Sequence, residues 1–380
     1  MTHGAPRRRR DEEIEDWVRV VDRLPFVSSI KRDATALRRL LYDRRAPRIA
    51  IVGSPGCGRT TLANALLAAH AFGQDGAAPP PAPGQWVRID ADGRRLDWME
   101  LPAELPRDAL IELARPRFEE TLPDVLVGAV EAGAEDAAAG PLRDALEALR
   151  GHLRDRHGHE PPVLVLLTKA DALHPSDVPP PDKEEAIEAA LGRVRSALTG
   201  LGLPKESLLA VVGLASETTR RWNVERVGEE ILERLPDSAK LEGVRAFEVG
   251  KDARRRVARA LVNSCSALAV TVGLAPIPFA DAFLLLPLQA AMVTGIAYLS
   301  GRPWNRRAAA EWLASIGVTG GAGMGLRWGA QQLVKLVPGA GALVGAGVAG
   351  AGTLAIGRSA IAYFVDGPGS LERRPELRAG

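Results

Sequence analysis

A chain of 380 residues is long enough for two domains, and its formal net charge of +2 hides an asymmetry. Residues 240–380 carry 16 Lys/Arg against 8 Asp/Glu, a net of +8, which leaves −6 for the remainder. The basic residues flank apolar stretches and no aromatics interleave them, a pattern that excludes a nucleic-acid partner and fits contact with an anionic membrane surface. Two cysteines, Cys57 and Cys265, lie too far apart to suggest a disulfide framework, as suits a reducing cytosol.

In chain order, the start MTHGAPRRRRDEE has no apolar core after its arginines, so no secretory signal is expected, and residues 7–10 read as a solvated tail. Ile14, Trp17, Val18 and Val21 recur at helical spacing and predict an amphipathic helix over 12–24; a second is expected over 31–44, before Pro47. The apolar run Ile49-Ala50-Ile51-Val52 is a strand signal. It leads into Gly53-Ser54-Pro55-Gly56-Cys57-Gly58-Arg59-Thr60-Thr61 and then the helix-like Leu62 to Leu67. Strand, Gly-rich loop and helix is the context of a phosphate-binding P-loop. Gly53, Gly56 and Gly58 let the backbone bend and turn N–H groups onto a phosphate, and the helix adds the positive end of its dipole. Thr60 offers a hydroxyl to Mg2+, while Arg59 stands where the pattern GxxxxGK[ST] has lysine.

Residues 71–85 are too rich in proline and glycine for regular structure. Segments 86–90 and 96–101 flank Ala91-Asp92-Gly93 as a hairpin, and further strands are expected at 125–130, 163–167 and 208–212. Between them lie helical patterns: Leu142, Ala145, Leu146 and Leu149, then Ile187, Leu191, Val194 and Leu198. Val227, Ile231 and Leu235 close the domain, and the prolines at 179–181 read as a loop. Alternating strands and helices predict a doubly wound, mostly parallel α/β sheet. From about residue 244 the texture becomes Ala, Gly and Leu. Uncharged runs cover 260–280 and 282–301, separated by Asp281 near Pro276 and Pro278, and a third covers 336–357.

Thr168-Lys169-Ala170-Asp171 follows the strand VLVLL and resembles the [NT]KxD guanine-specificity motif of the translation-factor-like class of P-loop GTPases. An aspartate carboxylate can accept from guanine N1–H and the 2-amino group, where adenine offers neither donor. The resemblance covers roughly 45–236 and includes Thr61-Leu62-Ala63-Asn64-Ala65-Leu66, where such GTPases often read STLLNAL. It implies GTP or GDP with Mg2+ as ligands and Ala215, in Gly213-Leu214-Ala215-Ser216, behind the base. The family's DxxG motif is replaced by Glu100-Leu101-Pro102-Ala103, with Glu100 facing Mg2+ beside Thr60 and Asp97 as a substitute in another register. No threonine lies between Thr61 and Thr121 to serve as the switch residue. With Arg59 and Glu100 as the catalytic candidates, a degenerate GTPase with slow hydrolysis at best is expected. The loop also resembles the GPPGCGKTT of AAA-type ATPases, but the strand candidates end without the paired acidic residues those enzymes need. The six histidines show no metal-ligand spacing.

Residues 244–365 resemble the C-terminal domain of unknown function of YcjF-type bacterial proteins, through Ala275-Pro276-Ile277-Pro278-Phe279-Ala280-Asp281, Leu288-Gln289, Met292 and Gly301-Arg302. Arg254, Arg255, Arg256 and Arg259 precede the first apolar run, and Arg302, Arg306 and Arg307 follow the second. The expectation is a helical hairpin with both ends cytoplasmic and Asp281 capping the second helix. Gly341 and Gly345 would permit close helix packing. The alternative is a soluble helical bundle, since Asn263, Ser264, Ser266 and Gln289 weaken the membrane signal. Taken together the expected organisation is N-terminal helices over 1–45, a nucleotide-binding domain over 46–238, an apolar all-α domain over 244–366 and a tail over 367–380. Such a protein would be a switch or scaffold at the cytoplasmic face of the inner membrane, or else cytoplasmic, with a protein partner or a second copy of itself. The competing class is a structural or membrane-interaction protein with a vestigial P-loop.

Overall fold

The computed structural model describes residues 41, 43–68, 72, 79–91, 93–213, 221–274, 285–304, 312 and 341–367. The chain forms two compact units, one of Arg45–Gly250 and one of Met1–Arg44 with Lys251–Gly380. The expected helices before residue 41, the Asp281 bend, Arg306, Arg307 and Ala215 lie outside the described residues.

The first unit is built on six strands: β1 (Arg48–Gly53), β2 (Val87–Ala91), β3 (Arg94–Pro102), β4 (Val125–Glu131), β5 (Val163–Thr168) and β6 (Leu208–Ala210). Their order is β2-β3-β1-β4-β5-β6. Among the described strands, the β2–β3 hairpin is antiparallel and the other pairs are parallel. The unbroken apolar runs of β1, β4 and β5 are explained by this arrangement, because parallel strands covered on both faces need no polar alternation. Helices α1 (Arg59–Leu67), α2 (Arg107–Glu120), α3 (Glu135–His157), α4 (Glu184–Ala197), α5 (Val224–Arg234) and α6 (Asp237–Ala246) complete the unit. Strand β6 stops two residues earlier than its apolar run, and Val212 instead pairs with Trp222 in an isolated bridge. The three prolines end in a short 3-10 turn over Pro180–Asp182 rather than an irregular loop.

Two features of this sheet position the candidate site. The chain leaves β1, forms the hairpin on one side, then crosses to β4 on the other, so the topological switch falls at the carboxyl end of β1. Register then brings Gly53 opposite both Pro102 and Ala129. The other end of the sheet is pinned by Asp124, which accepts two hydrogen bonds from the Arg45 guanidinium at 2.5 and 2.7 Å and one from Arg48 N–H at 2.9 Å.

In the second unit, α7 (Lys251–Leu274), α8 (Leu286–Leu299) and α9 (Gly341–Ile361) pack together, and α9 continues into a π-turn over Ala362–Asp366. Although residues 260–274 carry no charge, α7 is sided: Ala253, Val257, Leu261, Cys265, Leu268 and Val272 are buried at helical spacing. The α9 glycines decide how closely the helices meet. A Cβ on Gly350 would strike Val270, and one on Gly357 would lie 2.5 Å from both Val262 methyls, so the two helices cross antiparallel with backbone against side chain. Gln289 Nε2 on α8 donates to the hydroxyl of the fully buried Thr353 on α9 at 3.1 Å. Among the described residues, the helix long and apolar enough to cross a membrane is Gly347–Asp366, which begins in the third uncharged run and continues past Arg358. Among the described residues, the second run is helical over Leu286–Leu299, 14 residues or about 21 Å at 1.5 Å per residue.

Gly357→Ala should therefore overpack the α7–α9 contact and lower the unfolding free energy by about 1–3 kcal/mol. Gly352, whose Cβ would meet nothing within 4 Å, is the matched control, and its alanine variant should be neutral or stabilising by up to about 1 kcal/mol. Denaturant unfolding followed by circular dichroism checks the pair; equal effects would refute the glycine contact.

Candidate functional site

The loop after β1 is shaped by its glycines in the way its sequence suggests. Gly56 and Gly58 have φ of 81° and 91°, a region that disfavours side chains, and Gly58 caps α1 in the left-handed conformation. Gly53 is required for a different reason: a Cβ there would lie 2.7 Å from Ala129 O and from Cys57 Sγ. Cys57 N–H donates to Ser54 O at 3.2 Å, closing the turn. Burial pushes the Cys57 thiol up to about 11, so this cysteine is an inert packing group.

Arg59 opens α1, and its guanidinium is turned back under the loop. Nη1 donates to Gly53 O and to Leu101 O, each at 2.8 Å, bridging the ends of β1 and β3. Nε lies 3.4 Å from Glu100 Oε2. Glu100 Oε1 in turn accepts from the Thr60 hydroxyl at 2.9 Å and from Trp98 Nε1 at 3.2 Å. The expected metal pair, Thr60 and Glu100, is thus brought together, but it fits Mg2+ poorly. Both carboxylate oxygens of the buried Glu100 are engaged by protein donors, and a guanidinium already supplies the neutralising charge. Ala103, in the place of the motif glycine, directs its N–H at Gly53 O at 3.4 Å. Asp97 cannot substitute for Glu100: it faces Arg48 at the opposite end of the strands and pairs with Arg88 at 2.7 Å.

The TKAD segment lies at the end of β5. Thr168 Oγ1 donates to Cys57 O at 2.6 Å and to Val130 O at 3.1 Å, fastening this strand end directly to the glycine loop. Lys169 has a left-handed backbone (φ 53°), and its ammonium pairs with Glu131 at 2.8 Å. Asp171 sits two residues on, in a one-turn 3-10 helix over Ala170–Ala172, half-buried. Ala170 N–H reaches Val211 O at 3.3 Å, which ties the turn to the chain after β6. Gly53, Ser54, Gly56, Cys57, Gly58, Arg59, Thr60, Thr61, Glu100 and Thr168 therefore gather around the switch point, with Lys169 and Asp171 on the adjoining turn.

Lys183 is a structural side chain beside the site that sequence reasoning missed. It is only 4% exposed, and its ammonium donates to three carbonyls: Asp171 O at 2.9 Å, Leu173 O at 2.7 Å and Pro175 O at 2.9 Å. Three protons meet three acceptors, so the buried charge is fully hydrogen-bonded and the 171–175 loop is drawn around it. A lysine after a proline run carries no sequence signal of such a clamp. Lys183→Met would strand the three carbonyls. It should lower the unfolding free energy by about 2–3 kcal/mol and open the 171–175 loop to limited proteolysis; unchanged stability and digestion would contradict the clamp.

The family model described as "Domain of unknown function (DUF697)" matches residues 243–379. Magnetosome membrane protein 22 of Magnetospirillum gryphiswaldense is 31% identical over 138 residues, covering 34% of this chain and 68% of the relative. Among solved structures, a variant of SsGBP overlaps with a TM-score of 0.32 at 19% identity, over 55% of this chain and 64% of that one. Era of Aquifex aeolicus, bound to GDP.AlF4-, gives 0.31 at 17%, over 61% and 68%. The FeoB G-domain from Methanococcus jannaschii gives 0.30 at 17%, over 50% and 98%. The chain thus spans just under two thirds of the SsGBP chain. The chain belongs to one family with Magnetosome membrane protein 22, and it joins a mostly parallel α/β domain to a C-terminal region that matches DUF697.

Proposed function

We propose that the Arg45–Gly250 unit binds a guanine nucleotide, GDP or GTP, with the 53–61 loop around the phosphates and Asp171 on the base, and hydrolyses GTP slowly at best. The observation that carries this is Thr168, whose hydroxyl joins Cys57 of the phosphate loop to the strand end that bears Asp171. One rigid ridge then presents a phosphate site and a base site in fixed relation, as a nucleotide requires. Slow turnover follows from the commitment of Arg59 to Gly53 O and Leu101 O, from Ala103 in place of glycine, and from the lack of a threonine between Thr61 and Thr121. The same commitment of Arg59 is what favours the competing reading, a structural protein with a vestigial P-loop.

The helical unit is assigned to the cytoplasmic face of the inner membrane, where the nucleotide domain would act as a switch or scaffold for a protein partner or a second copy. In support, Gly347–Asp366 has the length and composition to span, the flanking arginines suit anionic lipid, and the relative bears the name of a membrane protein.

Calorimetric titration of the purified chain should give tighter binding of GDP than of ADP, and Asp171→Asn should move the preference toward xanthosine diphosphate, which carries a carbonyl at position 2. Equal affinity for GDP and ADP would refute the base assignment. Single-protein GTP turnover should fall well below the ~10⁻² s⁻¹ of self-contained GTPases with a cis arginine. Separately, the protein should stay in the membrane pellet through a high-salt wash and leave it only with detergent; recovery as a folded, detergent-free soluble protein would exclude the membrane assignment.

A further inference from the structure

We infer that Arg59 is a built-in cation occupying the role that a divalent metal fills in such sites, so that the diphosphate of the nucleotide is held without Mg2+. This rests on the guanine-nucleotide reading above and concerns the charge balance beneath the phosphates.

Glu100 is the acidic side chain at the foot of the loop, and it is 5% exposed. Its two oxygens have three donors: Thr60 Oγ1 and Trp98 Nε1 on one, Arg59 Nε on the other. A metal arriving at this carboxylate would have to displace a charged donor from a buried acceptor. It would also carry two positive charges up to a guanidinium that does not deprotonate. Mg2+ is poorly suited to such a compromise, since it demands near-ideal octahedral geometry at about 2.0–2.1 Å and gives up water reluctantly. The threonine that would complete its shell is absent from the segment between Thr61 and Thr121.

Arg59 is equally ill placed to leave. Its Nη1 is shared between two carbonyls belonging to the ends of two neighbouring strands, and Gly53 O is held by a second donor, Ala103 N–H at 3.4 Å. Among the described residues the Nη2 group makes no hydrogen bond, and the side chain is 14% exposed. Nε and Nη1 are thus anchored in the protein and Nη2 is left between them. That nitrogen can donate to a phosphate oxygen while the same charge balances Glu100. A lysine could not do this: its single ammonium would have to choose between the carbonyls, the carboxylate and the phosphate. In this chain the substitution at the P-loop lysine and the weak metal pair are one adaptation rather than two separate losses.

The test is calorimetric titration of GDP into the full-length protein in Mg2+ and again in EDTA, with electron paramagnetic resonance of Mn2+ as a second readout. The GDP dissociation constant should agree within about twofold between the two buffers. Mn2+ added to the protein–GDP complex should give no protein-bound signal. Arg59→Lys should free Glu100 and make GDP binding depend on Mg2+ by about tenfold or more. A loss of GDP affinity of about tenfold in EDTA for the unaltered protein, or a protein-bound Mn2+ signal, overturns this inference and leaves guanine-nucleotide binding standing. Absence of GDP binding in both buffers overturns both.

Discussion

The guanidinium of Arg59 is the contact on which the geometry of the glycine loop depends. Parallel pairing sets Gly53 and Pro102 side by side at the ends of β1 and β3, which places the carbonyls of Gly53 and Leu101 at the strand ends, Gly53 O having one further donor in Ala103 N–H at 3.4 Å. Such carbonyls are costly to bury unpaired. Arg59 satisfies both with one nitrogen and turns the rest of its charge toward Glu100, so strand ends, loop and first helix are held by one side chain. Charge-assisted hydrogen bonds of this kind are roughly twice as strong as neutral ones. They also cost no rearrangement when a ligand arrives, which is the physical content of a preformed site.

The segment after β5 holds a second buried cation on backbone acceptors, Lys183, and an exposed ion pair at Lys169. Lys183 collects three carbonyls from the loop that follows Asp171, and Lys169 is anchored on Glu131. Thr168 joins this assembly to the glycine loop through Cys57 O. The glycine loop and the 168–175 segment are thus joined by hydrogen bonds, and a change at Lys183 is expected to be felt at Asp171 without any direct contact between the side chains.

Much of this architecture is legible in the sequence, for identifiable reasons. Apolar runs such as Ile49–Val52 can only be strands buried on both faces, and glycines at 53, 56 and 58 before a helix have a backbone consequence that does not depend on the rest of the fold. Glu100 is singled out in the sequence because Glu100-Leu101-Pro102-Ala103 stands where the resembled family has DxxG. What the letters do not carry is the direction of a long side chain. Whether Arg59 points at a ligand or back under its own loop depends on where β3 ends, and that is fixed by register with β1. Trp98 and Lys183 escape for the same reason: their partners lie across the fold or on backbone atoms. In the helical unit, the uncharged stretch over 260–274 reads as membrane-like by composition. In the fold, α7 buries one face against α9, and it is the glycines of α9 that admit so close an approach.

A crystal structure of the full chain grown with GDP and excess Mg2+ tests the central role of Arg59 most directly. The expected result has Arg59 Nη1 still on Gly53 O and Leu101 O, its Nη2 on a phosphate oxygen, and no metal between Thr60 and Glu100. An octahedral ion ligated by Thr60 Oγ1, with the guanidinium swung away from Glu100, would contradict it.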